Sequence, residues 1–538
     1  MATPTAFQPA PRGEHRILYV SDPSTIARTV LPEPVRESDL RSWVDSLADS
    51  GVDTYNQEVF SQGWTVYWQS DSYEYDQRPQ HGRFRNLIDA GSQPLDILID
   101  QVHRRGMRFI AGVRMNDGHA AHNRRQGVAV ARFIEDNPRL RLIDSRPGPS
   151  YREPEALDFS FEEVRTFTLG VIDELARRFD IDGVELCFRD AAYFPPDQAT
   201  VRAPLMTDLV QKARASLGQG GRERVLGARV YATIAECRSQ GLATDRWIRD
   251  GLLDYVSPQD TMYADHNLHY AEWSALTRQS SCMLYPALLP WISYRSRYRL
   301  GRIPMGHAEC RALAHTVYGA GADGLSIYNH FVPAVWQPPF YPQAMQVFHQ
   351  LRDPSRVVRG ERHYVFDPTW DGFTGFGADG VCTTGAHKAQ QARLDRDETG
   401  PTAEFHFQLF EDLGKARSAT LTFRGFGMTE LDELDVRLNG HAIADQAIGR
   451  TASSDRATTV DSTRERDGTS IPCTAQGGRI EFRRNADPAP FSTRWLALSA
   501  AHTVLGDNVL SFALTKGDPG ARSTIVVIDE VEVFVEPR

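Results

Sequence analysis

Asp182-Gly183-Val184-Glu185-Leu186-Cys187-Phe188-Arg189-Asp190 is the stretch whose reading decides the fold. Side chains alternate along an extended chain, so Val184, Leu186 and Phe188 share one face and Glu185, Cys187 and Arg189 the other. A strand that is polar on one side ordinarily belongs to an open antiparallel sheet with that side in water. This one follows an amphipathic helical pattern over 161–178, and strand and helix patterns alternate on both sides of it. In that setting, inward polar residues near the carboxyl end of a strand mark the interior of a parallel barrel, where active sites are built.

Working outward, strand-like runs fall at 16–22, 54–60, 108–117, 183–189, 225–233, 253–258, 282–288 and 324–330. Helical patterns lie between them at 37–49, 94–105, 161–178, 203–217, 243–250, 270–278, 306–319 and 341–351. Eight of each is the count of an α/β fold of the (β/α)8 TIM barrel type. A doubly wound sheet alternates similarly, but no Gly-x-Gly-x-x-Gly follows the first strand, which speaks against a dinucleotide fold. After Asp353-Pro354 the pattern becomes short alternating runs at 404–410, 419–423, 434–438, 509–514 and 524–535, without a convincing helix between them. That predicts an all-β sandwich, jelly-roll-like. The expected division is a barrel over 1–358 and a sandwich over 359–538, with 449–490 as long loops carrying one or two short strands.

A chain of 538 residues exceeds one ordinary domain. A net charge of −10 disfavours nucleic acid as a main partner. The six cysteines form no CxxC pair or metal-ligand spacing, so free buried thiols are expected. His119, His122 and His307 lack a third ligand at diagnostic spacing, and neither a metal nor a cofactor is expected. No apolar run is long enough to span a bilayer. Met1-Ala-Thr-Pro-Thr-Ala-Phe shows no secretory signal, so a cytoplasmic protein or a processed exported form is expected. A homo-oligomer is compatible with the sequence.

The polar residues at the carboxyl ends of the strands then fall together. They are Asn56, Gln57 and Glu58; Arg114, Asn116, Asp117 and His119; Glu185, Arg189 and Asp190; Arg229, Tyr231 and Glu236; Ser257, Gln259 and Asp260; Tyr328, Asn329 and His330. Carboxylates among arginines and aromatics fit glycoside hydrolysis, in which one carboxyl protonates the leaving oxygen and another attacks or activates water. The catalytic candidates are Glu185, Asp190 and Asp260. Glu58, Arg114, Asn116, His119, Arg189, Arg229, Tyr231, Glu236 and His330 are candidates for binding a carbohydrate substrate. Trp64 and Trp68, in the long aromatic loop after the second strand, are candidates for a sugar platform. Each has a bland reading beside it. Glu185 pairs with Arg114, Arg189 or Arg229 inside the barrel; Asp190 and Asp260 serve as turn or cap residues; the tryptophans pack their loop onto the barrel. The rival functions are a non-catalytic glycan-binding protein and a polysaccharide lyase, in which Arg114 and Arg229 would neutralise a uronate and His119 or Tyr231 would be the base.

Asp182-Gly183-Val184-Glu185-Leu186 resembles the "DGIELDxxR" signature of bacterial family-10-like glycosyl-hydrolase barrels. Leu157-Asp158-Phe159-Ser160 with Glu163-Val164-Arg165 resembles the "D-x-S-x-x-x-V-R" segment that leads into their preceding helix. The resemblance spans roughly 15–350 and implies a (β/α)8 glycosidase. It also marks a departure, since Cys187 stands where those relatives commonly carry an acid. Val436-Arg437-Leu438-Asn439-Gly440 and Leu505-Gly506-Asp507-Asn508-Val509-Leu510 resemble accessory β-sandwiches of carbohydrate enzymes, which bind glycans or buttress the barrel.

Overall fold

The computed structural model describes residues 11–22, 26, 30–60, 62–117, 123–124, 127–142, 156–188, 191–259, 264, 266–289, 291–294, 300–328, 330, 343–366, 392–451, 470–473, 478–481, 491–521 and 523–538. Among these residues no helix is long and apolar enough to cross a membrane. Cys187, Cys237, Cys282 and Cys310 are buried thiols in no disulfide.

The first part is a (β/α)8 barrel. Its strands are β1 (Ile17–Ser21), β2 (Thr54–Phe60), β3 (Arg108–Arg114), β4 (Gly183–Cys187), β5 (Val225–Tyr231), β6 (Tyr255–Gln259), β7 in two pieces (Met283–Leu284 and Ala287–Leu288) and β8 (Leu325–Tyr328). Each pairs in parallel with the next; the two pieces of β7 take β6 and β8, and β8 returns to β1. One main helix follows each strand: α1 (Glu37–Asp49), α2 (Pro94–Arg104), α3 (Glu162–Arg178), α4 (Ala199–Leu217), α5 (Thr244–Arg249), α6 (Ala271–Thr277), α7 (His307–Gly319) and α8 (Phe348–Leu351). The outward strand residues Tyr55, Val59, Phe109, Val113, Val184, Leu186, Leu226 and Val230 are buried under helical Trp43, Leu47, Val102, Val171, Leu175 and Leu209. The inward residues Leu18, Val20, Tyr255, Tyr285, Ala287 and Tyr328 form a separate apolar cluster inside the ring.

An aspartate stands at the amino-terminal end of every even-numbered strand. Asp53 Oδ2 accepts the N–H groups of Arg16 and Ile17 at 2.7 and 2.9 Å. Asp182 Oδ2 takes that of Phe109 at 2.8 Å, Asp254 Oδ2 that of Leu226 at 2.7 Å, and Asp323 Oδ2 that of Leu284 at 3.0 Å. Each carboxylate thus grips the start of the preceding odd-numbered strand. Each also meets a basic group: Arg352, His103, Arg214 and Arg12 respectively.

The second part is a β-sandwich. One sheet runs Arg362–Val365, Ile525–Pro537, Ala416–Phe426, Phe491–Ala497, Gly449–Thr451, with Ala392–Asp395 also paired to Ile525–Pro537. The other runs Thr402–Leu409, Gly506–Lys516, Glu433–Leu438, His441–Ile443. Burial alternates along Glu433–Leu438 and Gly506–Lys516, as a sheet with one face in water requires. Phe423 of the first sheet meets Phe512 of the second edge-on at 5.1 Å, within a core that also holds Leu421, Phe405, Val436 and Val533. Within the stretch expected to be mostly loop, Ser470–Cys473 pairs with Gly478–Glu481.

Helix α7 carries the contact between the two parts. Its Ala312 belongs to the sandwich core, and its Glu309 faces His363. His363 Nδ1 lies 2.9 Å from Glu309 and Nε2 2.6 Å from Glu532. Carboxylates only accept, so the ring donates at both nitrogens when it is an imidazolium. Burial opposes that charge; the two carboxylates overcome it and raise the pKa to about 9.

Burial disfavours the Asp323 charge, but hydrogen bonds from Arg12 and from the Leu284 N–H outweigh it and hold the carboxyl below its ordinary range. Asp323→Ala is expected to cost roughly 3–5 kcal/mol in urea unfolding at neutral pH, and Asp323→Asn to remove stability that the native protein loses as pH falls. For His363 the folded pKa is the higher one. Its contribution is complete below the unfolded value of about 6.5, fades up to about pH 9, and amounts to ~3 kcal/mol. His363→Gln is expected to flatten the decline in melting temperature between those two pH values.

Candidate active site

The barrel's register decides which side chains meet at its carboxyl-terminal mouth. Glu58 stands opposite Gly112, Gly112 opposite Glu185, and Glu185 opposite Gly227. The next row is Arg114, Cys187, Arg229 and Ser257, and Tyr231 stands opposite Gln259. All of these point inward, because Val184, Leu186, Ala228 and Val230 lie in the outer core.

Inside, acids and arginines pair. Arg114 Nη2 donates to Glu58 Oε2 at 2.8 Å. Arg229, fully buried, donates from Nε to Glu185 Oε1 at 2.9 Å, from Nη1 to Gln259 Oε1 at 2.5 Å, and from Nη2 to Ser326 Oγ at 2.7 Å. Its guanidinium lies over the Tyr328 ring, 5.6 Å from the centroid. Tyr255 completes the group by donating to Glu185 Oε2 at 3.0 Å. Burial works against the Arg229 charge, but Glu185 more than offsets it and raises the pKa. Burial and the same carboxylate keep Tyr255 protonated well above the ordinary phenol range, so it remains a donor.

The sequence singled out Glu185 and Arg229 but passed over Tyr255. Its ring fills the space where Gly227 has no side chain: a Cβ on Gly227 would come within 2.0 Å of it. A glycine in mid-strand is the signal that something approaches closely there, and Leu226-Gly227-Ala228 carried it.

Of the predicted site residues, His119, Arg189, Asp190 and Asp260 lie outside the described residues, as do Tyr263, Asn329 and Trp336. Others are placed away from the roles expected of them. Trp68 is no open platform: it is fully buried, donates from Nε1 to Glu174 of α3 at 2.7 Å, and packs edge-on against Phe179. Trp64 is also buried, in a turn pinned by Gly63 N–H to Asp117 Oδ2 at 2.8 Å. The aromatic loop therefore packs onto the barrel, the bland reading of its composition. Asn116 has its amide engaged by neighbouring backbone. Its amide donates to the carbonyls of Leu157 and Ala192 at 2.8 and 2.7 Å and accepts from the N–H of Leu157, tying the loop after β3 to its neighbours. His330 turns outward, against Phe348 of α8 at 5.0 Å and 3.9 Å from Cys310 Sγ of α7. Alternation does not extend past the end of β8 at Tyr328. Burial and the nearby His307 lower the His330 pKa to about 3, which leaves it neutral. Tyr231 is half-buried and donates to the Ala191 carbonyl at 3.3 Å. Half-buried Glu236 lies on the short helix Ile234–Ser239 that Thr233 caps.

The family model described as glycosyl hydrolase-like 10 matches residues 23–205, which bears out the likeness seen around β4 for that part of the chain. No curated protein sequence matches. Among solved structures, the chain is similar to the glycoside hydrolase domain of PgaB (BpsB) from Bordetella bronchiseptica, at 16% identity and a TM-score of 0.41, over 64% of this chain and 99% of that one. It is similar to α-L-fucosidase isoenzyme 2 from Paenibacillus thiaminolyticus at 9% identity and a TM-score of 0.42, over 63% of this chain and about half (49%) of that one. An α-amylase from Lactobacillus plantarum shares 12% identity at a TM-score of 0.36, over 90% of this chain and 99% of that one. The family match supports a carbohydrate-active enzyme at a general level.

Removing one member of a buried ion pair leaves the other charge unmatched. Glu185→Ala and Arg229→Ala are each expected to destabilise the barrel by roughly 3–5 kcal/mol, and the double variant by less than the sum of the two, as read by thermal unfolding.

Proposed function

We propose that the protein is a glycoside hydrolase that cleaves an oligo- or polysaccharide at the carboxyl-terminal mouth of the barrel. The observation that carries this reading is the Glu58–Arg114 pair beside the Glu185–Arg229–Gln259 group, contributed by five successive strands to one end of the ring. Asp190 and Asp260 follow in the sequence shortly after β4 and β6, whose inward residues belong to that group. Hydrolysis of a glycosidic bond needs a carboxyl group that protonates the leaving oxygen and a carboxylate that attacks the anomeric carbon or activates water. Both oxygens of Glu185 already accept hydrogen bonds from Arg229 and Tyr255. We therefore assign the two chemical roles to Asp190 and Asp260, with Glu185 holding Arg229 in place. Glu58 and Arg114 pair on the adjoining strands β2 and β3.

The lyase reading loses support, because Arg229 is engaged by Glu185, Gln259 and Ser326, and Arg114 by Glu58. A glycan-binding protein without turnover is the second reading. Buried Cys187 favours it, standing in register between Arg114 and Arg229 where an acid would complete a catalytic set.

Asp190→Asn and Asp260→Asn are each expected to lower turnover of a cleaved oligosaccharide by about a hundredfold or more with unchanged melting temperature. Near-normal turnover in both variants overturns the assignment. Sugar binding by the native protein with no product after long incubation selects the second reading, and an unsaturated product absorbing in the ultraviolet selects a lyase.

A further inference from the structure

Gln259 ends β6 on the inward face, one residue before Asp260, and is 3% exposed. Its amide has a fixed direction. A guanidinium can only donate, so the Gln259 oxygen is the atom that meets Arg229 Nη1. Arg229 is itself held by Glu185 and Ser326, so this orientation is not adjustable. Nε2 is consequently turned away, buried, and without a hydrogen-bond partner. Outside the Glu58–Arg114 pair, two further inward groups share that condition: both amide atoms of fully buried Asn56 on β2, and the hydroxyl of Ser257 on β6. Buried donors and acceptors are matched in folded proteins, and those left unmatched at the mouth of a barrel await a ligand or water.

The charge balance narrows the ligand. At this end of the barrel, among the described residues, Arg114 and Arg229 each face a protein carboxylate. They hold no uncompensated positive charge for a uronate or a sulfate. Beyond that charge-matched Glu58–Arg114 pair, the groups left to a ligand are amides and a hydroxyl, which read hydroxyl and ring oxygens.

We propose that Gln259 is a substrate contact whose Nε2 donates to an oxygen of an uncharged sugar ring, with Arg229 as the positioning residue that fixes the amide and Asn56 and Ser257 as further contacts for hydroxyls. The inference rests on the glycoside-hydrolase reading and names the substrate class of that site.

The test uses the full chain with neutral gluco-, galacto-, manno- and xylo-oligosaccharides and with oligogalacturonate. Turnover is expected on a neutral member and not on oligogalacturonate. Gln259→Glu keeps an oxygen for Arg229 and is expected to melt like the native protein, while kcat/KM falls about tenfold or more, mostly through KM. Gln259→Leu should show the same loss. Asn56→Ala should raise KM without shifting the pH profile. A preference for oligogalacturonate overturns the inference, as does kcat/KM within about twofold of native in folded Gln259→Glu and Gln259→Leu; the hydrolase reading survives either result. If the native protein cleaves nothing, that reading fails, and calorimetric titration with the same oligosaccharides decides the contact. Neutral-sugar binding weakened about tenfold in Gln259→Glu supports it, whereas unchanged or absent binding overturns it.

Discussion

An aspartate carboxylate before each even-numbered strand accepts the backbone N–H that opens the strand preceding it. In a parallel sheet nothing local sets the register, because successive strands are joined by long crossovers rather than tight turns. A one-residue slip would send every inward side chain to the helical layer. Four short, charge-assisted hydrogen bonds placed at the same point of four strand pairs prevent that slip. They sit at the amino-terminal rim, and their consequence is felt at the other end. Glu58, Glu185, Arg229 and Gln259 face one another there because their strands start in step.

The barrel interior is thereby divided. Leu18, Val20, Tyr285 and Ala287 fill one part with apolar surface, and the acids and arginines gather near the carboxyl ends of β2 to β6. A buried arginine is tolerable only if its charge and its donors are met. Glu185, Gln259 and Ser326 meet those of Arg229, from three other strands. Directional contacts from all three hold the Arg229 guanidinium in one orientation. Tyr255 contributes one hydroxyl, and Gly227 contributes the space its ring occupies.

The sandwich is joined to this barrel by polar contacts as well as apolar ones. Beside the Glu309–His363–Glu532 chain, Tyr364 donates to Glu411 at 2.5 Å and lies 3.1 Å from His315 of α7, while Arg362 closes on Glu411 from the other side. His266, after β6, lies 3.1 Å from the carbonyls of both Val365 and Glu309. These groups are buried and directional, so the sandwich is fixed against the helix that follows β7 rather than tethered by a linker alone.

The sequence by itself determined what depends on local periodicity. Period-two runs located all eight barrel strands, and β2 runs over the residues expected of it, Thr54–Phe60. Asn439-Gly440, both at positive φ, join Glu433–Leu438 to His441–Ile443 as a two-residue hairpin, a turn that this dipeptide announces. The inward acids and arginines were legible for the same reason. Tertiary structure decided which of them meet. Trp68 could be read as an exposed ring until Glu174, over a hundred residues away in sequence, took its N–H. Asn116 could be read as a ligand for sugar until two loop carbonyls engaged its amide. His330 lay beyond the end of its strand, where alternation no longer says which way a side chain turns. The direction of the Gln259 amide depends on an arginine from another strand, and that arginine on a glutamate from a third. A strand's sequence fixes the face on which a residue lies; only closure of the ring fixes what stands across from it.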